Sequence, residues 1–312
     1  MGPGPAAAPG PTAPPAPAAS AASRLARVRA RLDLPTVRRA AGLLEGRHRS
    51  VFTGRGQDFD DQVEYRPGDD VTDIDWKSSA RAGTPIIRRF VRESNLAVVL
   101  AVDTGRTMAA TAAGGEPKPE VALAVADVVA YLARARGDLV GLVAGDAGRL
   151  VQLPARHGTA HLETLLRTLE RALALPAPPS DLGRVLDRVL TWSTRRCLVV
   201  VITDDARPEP AHEDALRRLR ARHEVMVVAV ADALPTAPGI GPTADVDGPV
   251  LPAYLRADPD LHAEARAAAA DRTARVRAML RRRGVEQVSV AGTDDVVDAL
   301  VDLLRRQRRA RR

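Results

Sequence analysis

The chain has 312 residues, room for two domains or for one domain with an extension, and 45% hydrophobic with 27% charged residues excludes wholesale disorder. Aromatic residues at 3% leave too few rings for a platform that stacks single-stranded nucleic acid or sugar, and the single cysteine, Cys197, excludes a disulfide framework and any zinc site of several thiolates. The net charge of +7 is a tail property, because Arg305, Arg306, Arg308, Arg309, Arg311 and Arg312 supply six of the 46 basic charges and the rest of the chain is nearly balanced.

Residues 1–24 are almost entirely Ala, Pro and Gly, without a charged segment ahead of an apolar one, which reads as a tail and not as a signal peptide or anchor. No eighteen uncharged apolar residues follow one another anywhere, so a soluble, cytoplasmic protein with no membrane span is expected; Cys197, inside an aliphatic run, suits a reduced compartment. Residues 35–95 form a first unit: a helix over 35–47, then short runs at 62–65 and 86–91 separated by glycines and by the turn Pro67-Gly68-Asp69-Asp70. That texture suits a small β-rich segment packed on the strand that follows.

From residue 96 the texture changes. Runs at 96–102, 139–143, 197–203, 225–231 and 287–290 are apolar at nearly every position, the mark of parallel strands buried on both faces. Segments 119–136, 159–173, 181–192, 210–222, 261–283 and 294–306 carry helical periodicity, with Pro119 near the first one's start and Gly137 past its end. Residues 234–252 read as a long Pro/Gly/Ala loop. Repeated βα units predict an α/β, doubly wound, mostly parallel sheet over 96–304, with 305–312 as a basic tail. That tail reads as the solvated end of a helix, and no specific nucleic-acid partner is expected.

In such a sheet, function sits where loops leave the carboxyl ends of the strands. Asp103 and Asp204 end two strands there, and neighbouring carboxylates suit a hard divalent cation; each could equally cap the turn that follows. The stretch Asp103-Thr104-Gly105-Arg106-Thr107-Met108 contains no phosphate-binding glycine pattern, and Gly105 stands where a haloacid dehalogenase-type phosphotransferase needs its second Asp. His157 and His161 stand four apart, but Gly158 occupies the place of a zinc protease's Glu, so they read as helix surface.

Asp103-x-Gly105-x-Thr107 after a buried strand, with Ser180 in Pro179-Ser180-Asp181 and a strand ending Thr203-Asp204, resembles the metal-ion-dependent adhesion site of von Willebrand factor type A domains. Gly46-Arg47-His48-Arg49-Ser50, Gly54-x-Gly56-x-x-Phe59, Tyr65-Arg66-Pro67-Gly68-Asp69-Asp70, Ile74-Asp75-Trp76-Lys77-x-x-Ala80-Arg81 and Arg92-Glu93 look more specifically like bacterial family fifty-eight of the domains of unknown function.

The resemblance implies a type A-like domain behind a β-rich segment and a partner-binding or chaperone-associated role without enzymatic activity. The partner it implies is a MoxR-type AAA+ ATPase or its client protein. It also implies Mg²⁺ held by Asp103, Thr107, Ser180 and Asp204, with one hydroxyl ligand replaced by Gly105; without metal, the site would survive as a shaped protein-binding face. Tyr65, Gly68, Asp69, Asp70, Asp75, Trp76 and Arg81 carry the family motif. Their charges read as an ion-pair network with Trp76 as an apolar anchor, or alternatively as a surface for the ATPase. Two rival functions are a metal-dependent hydrolase or phosphotransferase using Asp103 and Asp204, and nucleic-acid association through the C-terminal arginines.

Overall fold

The computed structural model describes residues 58–64, 74–91, 97–173, 177–193, 195–237 and 251–309. Two sheets are present among them. β1 (Asp58–Glu64) and β2 (Ile86–Val91) form an antiparallel pair, with the short helix α1 (Trp76–Ala82) between them in sequence. The second sheet has six strands in the order β5-β4-β3-β6-β7-β8. These are β3 (Ala97–Asp103), β4 (Leu139–Gly145), β5 (Leu150–Arg156), β6 (Leu198–Asp204), β7 (Glu224–Val230) and β8 (Glu286–Val290). All neighbours are parallel except β4 and β5. The fold is therefore the doubly wound, mostly parallel α/β architecture expected from the alternation of buried runs and amphipathic segments.

Because successive side chains on a strand point to opposite faces, the all-apolar strands feed two cores. Val98, Leu100 and Val102 of β3 pack with Val121, Val125 and Val128 of α2 (Lys118–Ala135), Leu165 and Leu169 of α3 (Thr159–Ala172), and Leu300 and Leu304 of α8 (Val296–Arg309). Val99 and Ala101 face the other way, onto Val185 and Val189 of α4 (Leu182–Trp192), Leu216 and Leu219 of α5 (Glu213–Arg222), and Met279 and Leu280 of α7 (Pro259–Arg282). A further single turn, α6 (Ala253–Arg256), precedes α7. Helix ends follow the local chemistry: Asp181 and Asp258 accept hydrogen bonds from the first N–H groups of α4 and α7, and α2 is followed by Gly137 at φ 74°.

Two features depart from the sequence reading. β5 was not anticipated, because Pro154 interrupts it and its burial is only partial. It is an edge strand, where a missing N–H costs no ladder bond. His157 lies between β5 and α3, so it shares no helical face with His161, whose Nε2 is 2.9 Å from the carbonyl of Val140. The 35–47 helix and most of the 234–252 loop lie outside the described residues. No described helix is long and apolar enough to cross a membrane.

Candidate functional site

β3 connects through α2 to β4 on one side, while its other neighbour, β6, is reached only after α3 and α4. The strand order reverses at the β3/β6 boundary, which opens a crevice at the carboxyl ends. Both acids expected to act there end these two strands.

Asp103 is fully buried. Its Oδ1 accepts a hydrogen bond from the Gly105 N–H (2.9 Å), its Oδ2 accepts one from the Thr203 hydroxyl (3.3 Å), and Nε of Arg207 stands 3.9 Å from Oδ2. The Ser180 hydroxyl also bonds this carboxylate, and burial outweighs all of these contacts to push its pKa above the usual carboxylate value. The hydroxyls of Thr107 and Ser180 are hydrogen-bonded to each other at 2.7 Å. Three of the four expected ligands, Asp103 and Thr107 from the loop that leaves β3 and Ser180 from the loop before α4, are thus brought together.

The departure at position 105 has a steric cause. A Cβ on Gly105 would lie 2.2 Å from Cα and 2.3 Å from Oγ of Ser180, distances at which one backbone must move. The Ser180 loop is held there by Arg106 N–H to Pro178 O (2.9 Å) and Ala147 N–H to Pro179 O (3.0 Å). Glycine at 105 is what lets the two loops close on each other; a serine in its place has no room.

The fourth expected ligand has a different engagement. Asp204 accepts the Ala206 N–H on Oδ1 (2.8 Å) and the Lys118 ammonium on Oδ2. Lys118, the first residue of α2, is 0% exposed and bridges Asp204 to Asp232, just beyond β7. Burial by itself lowers an ammonium's pKa, but the two carboxylates more than offset it, so Lys118 is held charged. Asp232 is raised to about 7 by burial and by the charge of Asp204, against the opposing pull of Lys118. Asp205 is raised too, first by burial and then by Asp204.

Asp204, Asp205 and Asp232 offer oxygens within 4.8 Å of one another, a spacing a divalent cation could bridge. The Lys118 ammonium already sits on two of those carboxylates. The residues present therefore fit Mg²⁺ poorly: one hydroxyl is missing, Asp103 is already engaged by hydrogen bonds from Gly105, Thr203 and Ser180, and Asp204 is neutralised by a side chain.

Sequence reasoning missed Lys118 and Asp232. The signal was compositional: Lys77 and Lys118 are the chain's only lysines among 46 basic residues. A compact ammonium, not a planar guanidinium, fits between two carboxylates in a closed space. Asp146, buried at the end of β4, was also missed; it accepts the N–H groups of Gly148 and Arg149 and the hydroxyl of Thr104, joining the β4–β5 turn to the Asp103 loop.

Of the family-motif residues, Tyr65, Gly68, Asp69 and Asp70 lie outside the described residues. Asp75 caps α1, its carboxylate accepting from the N–H groups of Lys77 (3.2 Å) and Ser78 (3.3 Å) and from the Ser78 hydroxyl (2.7 Å). Arg81 lies exposed in the last turn of α1. Trp76, at the first position of α1, is 72% exposed, so the apolar anchor expected of it is not made by the described residues. Cys197 is buried as expected, with its thiol pushed up to about 12 by desolvation.

A doubly wound sheet whose central strand ends in Asp103-x-Gly105-x-Thr107, with Ser180 closing on that loop, defines an α/β domain of the type A-like kind. Residues 61–278 match the family described as "Protein of unknown function DUF58", and the chain belongs to that family. It is 30% identical over 210 residues to uncharacterized proteins of Mycobacterium tuberculosis and Mycobacterium bovis, a stretch covering 67% of this chain and 66% of theirs. Among solved structures, an aerotolerance-related membrane protein from Bacteroides fragilis is similar at 16% identity and a TM-score of 0.42, over 68% of this chain and 99% of that one. A von Willebrand factor type A protein from Catenulispora acidiphila is similar at 13% identity and a TM-score of 0.39, over 70% and 43% of the two chains.

Proposed function

We propose that this protein is a non-enzymatic adaptor that binds a partner protein through the crevice at the carboxyl ends of β3 and β6, the partner being a MoxR-type AAA+ ATPase or its client. The observation that carries this reading is the close fit of the Ser180 loop onto Gly105. It packs Asp103, Thr107 and Ser180 into one preformed polar face, with Thr107 and Ser180 partly exposed at its surface. A preformed face keeps the ordering cost of binding low. The metal-dependent hydrolase or phosphotransferase alternative asks Asp103 to hold a metal or to act as a nucleophile, yet that carboxylate is fully buried and already accepts hydrogen bonds from Gly105 and Thr203. Mg²⁺ is not needed in this reading, because the Lys118 ammonium supplies the positive charge beside Asp204.

The test is capture of the purified MoxR-type ATPase from the same organism by the full chain, comparing wild type with Thr107→Glu, in Mg²⁺ and in EDTA. Capture that survives EDTA and is lost in the variant supports the reading. Capture unaffected by Thr107→Glu removes the site, capture lost in EDTA restores the metal, and no capture removes the partner.

A further inference from the structure

Away from that crevice, the outer edge of β8 carries a second arrangement. β8 ends the six-stranded sheet, and no described strand pairs with its outer side. The carbonyl of Val290 accepts from Ala231 N–H on the β7 side, whereas the carbonyl of Gln287 accepts from Arg306 (2.7 Å) on the other. Since backbone groups alternate along a strand, the N–H groups of Gln287 and Ser289 point outward.

Beside this edge is a cavity of about 210 Å³ bordered by Arg277 and Arg281 of α7, Arg306 of α8, and Gln287 and Ser289 of β8. The three arginines are exposed, and Glu286, 3.4 Å from Nε of Arg306, is the cavity's only carboxylate among the described residues. Gln287 is only 7% exposed, yet among the described residues neither its side-chain oxygen nor its nitrogen has a hydrogen-bond partner. A buried amide with both ends unsatisfied is costly and rare, and a polar ligand entering this cavity would relieve it.

We propose that this edge binds an extended acidic peptide segment of a partner protein, added as a further strand on β8. Backbone bonds to Gln287 and Ser289 set its register. A carboxylate side chain enters the cavity between Arg277 and Arg281 and accepts from the Gln287 amide. The net positive lining selects against basic and neutral segments, and an edge that no described strand pairs favours an extended backbone over a helix.

The probe is a fluorescein-labelled ten-residue peptide alternating Glu and Val, titrated against the full chain by anisotropy. Its Gln/Val counterpart and citrate serve as competitors, and hydrogen exchange is followed at the amides of Gln287 and Ser289. Binding weakened at least tenfold in Arg277→Glu/Arg281→Glu but unchanged in Arg171→Glu, an exposed arginine in the last turn of α3 that does not border the cavity, with both amides protected, supports the proposal. Both arginines are exposed, so the double variant is expected to keep the wild-type melting temperature; if it does not, Arg277→Gln alone, expected to weaken binding severalfold, replaces it. Equal binding of the Gln/Val peptide, displacement by citrate without amide protection, or no binding of the acidic peptide would each overturn it.

Discussion

Replacing Gly105 by serine restores the missing hydroxyl of an adhesion-type loop, and the geometry predicts that it damages the protein without creating a metal site. The added Cβ falls 2.2 Å from Cα of Ser180, 2.3 Å from its Oγ and 2.5 Å from its N. Reaching an ordinary van der Waals separation of about 3.5–4.0 Å requires the Ser180 loop to retreat by about 1.5 Å. That loop is fastened by the Arg106–Pro178 and Ala147–Pro179 backbone bonds and by the Thr107–Ser180 hydroxyl pair. Overpacking costs about 1–3 kcal/mol, and straining one or two of these bonds adds about 0.5–1.5 kcal/mol each. The expected loss is about 1.5–6 kcal/mol, read from urea unfolding midpoints at constant slope. Because the collision is with the Cβ and not the hydroxyl, Gly105→Ala should cost about the same as Gly105→Ser. A Gly105→Ser protein within about 0.5 kcal/mol of wild type, or one stabilised by Mg²⁺, would refute the steric reading.

Two further predictions concern the buried charges. Lys118→Met leaves Asp204 and Asp232 without their ammonium and should destabilise by about 3 kcal/mol, at the low end for broken buried pairs because Asp232 is partly exposed and can take up a proton. Mn²⁺ should raise the melting temperature of this variant through Asp204, Asp205 and Asp232 while leaving wild type unchanged; a wild type stabilised as much would show that the ammonium does not exclude metal. Asp232, raised to about 7, binds a proton in the folded chain that the unfolded chain releases near pH 4. The folded state therefore holds more protons between these values, and its stability relative to Asp232→Asn should fall as pH rises from about 4 to about 7. Urea midpoints of the two proteins at pH 5 and pH 8 check this, and a constant difference between them would contradict it.

Much of the fold was legible in the chain. Strands such as Leu198–Asp204 and Glu224–Val230 are apolar on both faces because the sheet is covered on both sides, and that pattern needs no partner to be read. Asp103 and Asp204 were legible for the same reason, as the first charged groups at the ends of buried runs. β5 was not, because Pro154 and polar residues blur its alternation, and its pairing with β4 depends on the turn that Asp146 builds.

The motif also identified Thr107 and Ser180, but the sequence could not show why position 105 is glycine, since the colliding atoms belong to a residue 75 positions away. Nor could it show that the partner of Asp204 is a lysine at the start of α2 instead of an ion. Local pattern determines which segments are strands and which residues end them. Only the packing of loops from different strands decides which charges meet, because burial and a few ångströms of separation set those interactions, and neither quantity is written along the chain.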